Sequence, residues 1–149
     1  MGIAYQLTLA TDVPLQQVAG LVASDGFEES TEPGYPALLS ADLTTQWGFC
    51  VSILGGVDGY VDAEDDGTQW EWKPDRYVTV IFDMARNGPS ETATADMVAA
   101  TGRVLAGMPQ DAALVLNNNW LLLTRAAGRV RQHRRSWWHA YGLVEALTT

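Results

Sequence analysis

Apolar and polar positions change period several times along the chain, and the changes mark its elements. Ile3, Tyr5, Leu7 and Leu9 alternate with Ala4, Gln6, Thr8 and Ala10, the period of a half-buried strand. Thr11-Asp12-Val13-Pro14 reads as a helix start, with Asp12 placed to accept from the first turn. Leu15, Val18, Leu21 and Val22 give that helix its buried stripe, and Gly26 ends it. The stretch Glu28 to Pro36 is acidic and rich in breakers, so it reads as an exposed loop. Leu38, Leu39 and Leu43 fit a short helix or a strand. From Trp47 to Leu54 the period returns to two, with Phe49, Val51 and Ile53 on one face, and Gly55-Gly56 and Asp58-Gly59 mark turns.

A second strand-rich stretch begins at Arg76 and runs to Met84, with Val78, Val80, Phe82 and Met84 on one face. Asn87-Gly88-Pro89 breaks it. Ser90 is placed to cap a helix, and Glu91 sits where the positive end of the helix dipole favours an anion. Met97, Thr101, Val104, Leu105 and Met108 then form one helical stripe, stopped by Gly107 and Pro109. Two apolar runs follow, Ala112 to Asn117 and Trp120 to Arg125. The Asn117-Asn118-Asn119 segment between them supplies an Asn-Asn pair, acceptable as a two-residue turn because asparagine tolerates positive φ. Ala126-Ala127-Gly128 turns again into Arg129–His133, a polar edge strand whose arginines discourage edge pairing. Ser136 caps a last helix bearing Ala140, Leu143, Val144 and Leu147, with Trp137, Trp138 and Tyr141 near its start. The expected fold is α+β, a single domain over residues 1–149 in the order β-α-β-β-β-α-β-β-β-α. Its sheet is mainly antiparallel, of six or seven strands, with two long helices packed on one face and a third at the C-terminus.

A chain of 149 residues with 47% apolar positions is long enough and apolar enough for a real core. Its apolar runs are too short and interrupted for a membrane span, and the first residues carry no basic segment of the kind that opens a signal peptide. The single Cys50 lies inside an apolar run and reads as a buried, inert thiol, compatible with a cytoplasmic location. Charge changes the picture more. Residues 1–75 hold thirteen acids against Lys73 alone, whereas residues 76–149 hold five acids against eight arginines, for a total of −9. A field of that sign opposes nucleic acid and anionic membrane and attracts basic proteins. Plain solubility is the other reading of the same charge.

Asp58 to Lys73 concentrates the unusual residues. Five acids fall between Asp58 and Asp66 (Asp58, Asp62, Glu64, Asp65 and Asp66), and Trp70 and Trp72 share a face in an extended chain, with Glu71 between them. As a calcium loop starting at Asp62 the segment fails, because Lys73 stands where the closing bidentate glutamate is needed. Two readings remain. One is an acidic hairpin tip whose tryptophans cover the core edge. The other is a partner-binding patch, with acids for steering and aromatic anchors for affinity. Elsewhere the search for chemistry is negative. His133 and His139 have the spacing of neither a helical nor a strand pair, and no second cysteine supports a metal site. There is no dinucleotide fingerprint, phosphate-binding loop or nucleophile elbow, so no cofactor is expected. Arg129, Arg131, Arg134 and Arg135 read as a solvated face or as a counter-charge to the acidic half, rather than as a nucleic-acid patch.

The opening Ile3–Thr11 with Pro14-Leu15-Gln16-Gln17-Val18-Ala19 resembles the start of the Sit-type immunity proteins, small bacterial proteins named from the swarming-inhibition toxin–immunity system. Val78 to Phe82, the helix Met97 to Leu105, Met108-Pro109-Gln110-Asp111-Ala112-Ala113-Leu114, and Leu121–Arg125 with Gly128 are similar to that family's strand, helix and entry to the hairpins. The Asp58–Asp66 segment and the arginine-rich edge are outside the resemblance. What it implies is a non-catalytic cytoplasmic protein that binds and neutralises a cognate toxin, and the acidic composition suits a basic one, such as a nuclease. Two other functions stay open at this point. One is a small-ligand or regulatory domain with a pocket lined by Trp47, Trp120 and Tyr77. The other is an enzyme using an acid pair between Asp58 and Asp75.

Overall fold

A computed structural model describes residues 2–34, 36–85 and 91–147 of the chain. The expected Asn87–Pro89 break and Ser90 cap lie outside these residues, as does the Glu91 side chain. The elements are β1 (Ala4–Leu9), α1 (Leu15–Val22), β2 (Glu28–Ser30), β3 (Leu38–Leu43), β4 (Phe49–Val57), β5 (Val61–Asp65), β6 (Thr68–Trp72), β7 (Arg76–Met84), α2 (Glu91–Gly107), β8 (Ala112–Leu116), β9 (Trp120–Ala126), β10 (Arg129–Gln132) and α3 (Arg135–Ala140). The α+β class is as expected, but ten strands stand where the periodicity predicts six or seven. The additional ones come from polar stretches. β2 is an all-exposed edge strand drawn out of the acidic loop by pairing with β3, and β5–β6 is the acidic segment folded on itself.

The sheet runs β2-β3-β4-β7-β1-β8-β9-β5-β6, with β10 also on β9. Among the described residues every pairing is antiparallel except the single bridge between β5 and β9 at Glu64 and Trp120. One face takes Tyr5, Leu7 and Leu9 from β1, Phe49, Val51 and Ile53 from β4, and Val78, Val80, Phe82 and Met84 from β7, all buried. All three helices pack there. The α2 stripe of Met97, Thr101, Val104, Leu105 and Met108 is buried as its spacing predicts. Period-2 burial on the strands and 3.6-residue burial on the helix thus meet in one core.

The helices differ from expectation in length and in capping. Only α2 is long; α1 has eight residues and α3 six. Asp12 does not cap α1. Thr11 Oγ1 accepts the Val13 N–H at 3.3 Å instead, and the Asp12 carboxylate turns outward to Arg76 at 3.3 Å. Nor does Ser136 cap α3, which starts one residue earlier, after Arg134 in the left-handed region. Trp137 and Trp138 anchor that helix. The Trp138 indole N–H reaches the main-chain oxygens of Leu122 and His133, both at 3.0 Å. Asn117 and Asn118 do take positive φ, but the loop they build has three residues, because Leu116 pairs directly with Trp120; a bulge at Leu122 of β9 shifts the register further along. Cys50 is half-buried rather than buried, since it alternates with Phe49 and Val51 and so points to the outer face. Burial and the nearby Asp42 push its thiol up, away from the reactive thiolate.

Candidate functional site

The face of the sheet opposite the helices is covered only in part. The β5–β6 hairpin closes on the two-residue turn Asp66-Gly67, both at positive φ, so Gly67 serves a hairpin turn rather than a calcium loop. In the hairpin register Val61, Ala63 and Asp65 lie opposite Trp72, Trp70 and Thr68. Those side chains therefore share the inward face, while Asp62, Glu64, Gln69 and Glu71 point the other way. Ala63, Trp70 and Trp72 settle on Ala113, Val115 and Leu121 to form a second, smaller apolar cluster. The two indoles are 6.3 Å apart and half-buried. Covering the core edge is thus a structural task the tryptophans perform; part of each ring remains open to solvent.

The tip of this hairpin is pinned to the arginine-rich edge. His133 Nδ1 lies 3.0 Å from Asp65 Oδ1, and its Nε2 lies 2.8 Å from Thr124 Oγ1. With Nδ1–H donating to the carboxylate and the threonine hydroxyl donating to Nε2, a neutral ring satisfies both contacts. Next to it, Arg134 lies 3.9 Å from Glu64 Oε1 and stacks over the Trp120 ring at 4.4 Å. The basic run is therefore partly a counter-charge to the acidic segment. His133, expected on a polar edge, is buried because β10 ends against β9 at that point and Asp65 comes to meet it. Of the sequence-derived site residues, Asp65 and Glu64 are engaged within the chain. Asp58, Asp62, Asp66 and Glu71 are exposed.

Between the hairpin and the open sheet face lies a cleft of about 360 Å³. Thr8, Thr79 and Ile81 form its floor, and the chain from Asp58 to Asp62 forms its wall. Main-chain bonds fix the wall, with Asp58 N–H donating to Asp75 O at 2.7 Å and Gly59 N–H to Pro74 O at 2.8 Å. Tyr77 leans so close that a Cβ on Gly59 would stand 2.8 Å from its ring, so glycine is required for this approach. At the mouth, the exposed Tyr60 hydroxyl donates to Glu71 Oε2 at 2.5 Å, and that bond pushes its ionisation up to about 12. Tyr60 is the site residue that sequence reasoning misses: an isolated, exposed aromatic beside a turn, with no periodicity to single it out.

The other expectations fare unevenly. Trp47, Trp120 and Tyr77 do not line one pocket. Trp47 packs on the helix side beside Phe49 and Arg103, Trp120 sits under Arg134, and only Tyr77 reaches the cleft. No carboxyl between Asp58 and Asp75 is buried, so the acid-pair geometry is not formed there. Among the described residues, no helix is long and apolar enough to cross a membrane. What the fold defines is a single-domain α+β protein with one sheet face under helices and the other half open, bordered by acids. The chain belongs to the SitI3-like family, which matches residues 3–142, and so to the Sit-type immunity proteins that its strand and helix blocks resemble. No curated protein and no solved structure matches it.

Proposed function

We propose that this protein is a non-catalytic, cytoplasmic immunity protein that binds and neutralises a cognate bacterial toxin of basic character. The observation that carries the reading is the family match over residues 3–142. Charge and shape support it. The acidic half of the chain contributes the β5–β6 hairpin, whose outward face holds Asp62 and Glu71 with Asp66 at the turn. Such a face steers a positively charged partner into contact, and Trp70, Trp72 and Tyr60 offer apolar area for it to cover. Asp58 borders the same surface, and Glu64 and Asp65 hold the hairpin in place beneath it.

The test is co-expression with the toxin domain encoded by the gene beside its own. Host growth should be restored by the wild-type chain. Continued killing at high levels of the folded protein contradicts the reading.

A further inference from the structure

The cleft itself points to what a partner inserts. Among the described residues its lining contains Asp58 and Asp62, the amides of Gln6 and Asn118, and no lysine, arginine or histidine. At its floor, Thr8 and Thr79 are 5% and 8% exposed, and their hydroxyls lie 3.1 Å apart. Two hydroxyls joined by one bond still hold one proton and three lone pairs. Among the described residues these have no other partner, and they face the cleft. The excess is acceptor capacity, three lone pairs against one proton, and at this depth it calls for an occupant that donates. Ile81, Leu54 and Val115 give the same cleft apolar sides. At the mouth, Lys73 Nζ already rests 5.8 Å from the centre of the Tyr60 ring, so the rim is a place where a cation lies on an aromatic face.

We propose that the cleft between the β5–β6 hairpin and the outer sheet face receives one arginine side chain of the partner protein. This deepens, and rests on, the toxin-binding reading above. The methylene stem lies along Ile81 and Leu54, and the guanidinium donates to the threonine hydroxyls and the amide oxygens, within the field of the exposed Asp58 and Asp62 carboxylates. A planar five-donor fork matches a ring of acceptors between tyrosine faces better than a point charge does. At about 360 Å³ the cleft is at the small end of ligand sites, a fit for a single residue rather than a large cofactor.

The experiment is a titration of the isotope-labelled full chain with L-argininamide at low ionic strength, followed by amide chemical shifts. L-citrullinamide, of the same shape without the charge, is the control. Argininamide should shift Thr8, Thr79 and residues 58–62 saturably, with citrullinamide about tenfold weaker or worse. The exposed pair Asp58→Asn and Asp62→Asn should weaken argininamide about tenfold without altering the remaining spectrum. Unmoved cleft amides, or equal binding of citrullinamide, overturns the proposal. Argininamide binding in a chain that fails to rescue growth keeps the cleft chemistry and removes the immunity reading. Rescue by a chain whose cleft ignores argininamide does the reverse.

Discussion

Two arginines do much of the tying in this protein, and both act on helix ends. Neither α1 nor α2 carries a basic residue in its last turn, so their terminal carbonyls lack the usual local partner. Arg103, on α2, donates to Leu21 O and Val22 O at 3.1 and 2.7 Å, closing the end of α1. Arg125, on β9, donates to Gln110 O, Leu105 O and Met108 O, closing the end of α2. It is 8% exposed, and burial lowers its proton affinity, yet three carbonyl oxygens surround the charge. Replacing Arg125 with Met keeps the apolar stem and orphans three buried acceptors. Chemical denaturation should show a loss of about 3 kcal/mol, and Arg125→Lys should recover only part of it, because an ammonium lacks the fork. A loss below about 0.5 kcal/mol contradicts the capping role. None of this is legible in sequence, where Arg125 is one more residue at the end of an apolar run and its carbonyl partners lie 15 to 20 positions away.

At the level of elements, the β5–β6 hairpin is the part on which the account turns. The shared face of Trp70 and Trp72 was visible in the sequence, and so was the acidity; the attachment was not. A histidine at the end of a polar strand gives no sign that it will be buried against an aspartate 68 positions earlier. Longer elements with a strict period, such as β1, β7 and α2, were legible because each buries one continuous face in the same core. Short ones, β2 and β3 among them, exist only because a neighbour pairs with them, which no local pattern records. The His133 link gives a local prediction. Asp65→Ser or His133→Phe should release the tip, with a cost of about 1–3 kcal/mol for the unpaired buried group. Amide exchange should then quicken across residues 61–72 while α2 keeps its protection. Uniform quickening across both would mean that the hairpin is integral to the core rather than pinned onto it.

Across the whole molecule, charge and architecture divide along the chain. Both halves build the family-like scaffold, but residues 76–149 carry a surplus of three positive charges, while residues 1–75 carry thirteen acids against one lysine. Folding pairs only some of the two sets, as at Arg76 with Asp12 and Arg134 with Glu64. Exposed acids remain around the cleft and along the outward hairpin face. The bare sequence suggested that all the acids from Asp58 to Glu71 act alike, and the fold separates them. Glu64 and Asp65 are tied to Arg134 and His133, so neutralising them tests the hairpin, whereas Asp62, Asp66 and Glu71 are exposed, Glu71 while accepting from Tyr60, and test steering.

On the proposed reading, this exposed set draws a basic toxin onto the hairpin face. The most direct measurement is the association rate with the neighbouring gene's toxin domain, taken across ionic strength. The wild type is compared with a chain carrying Asp62→Asn, Asp66→Asn and Glu71→Gln. Association of the variant should be slower by about tenfold at low salt, with a flatter salt dependence and rates converging at high salt. An unchanged rate and salt slope in a folded variant would contradict it.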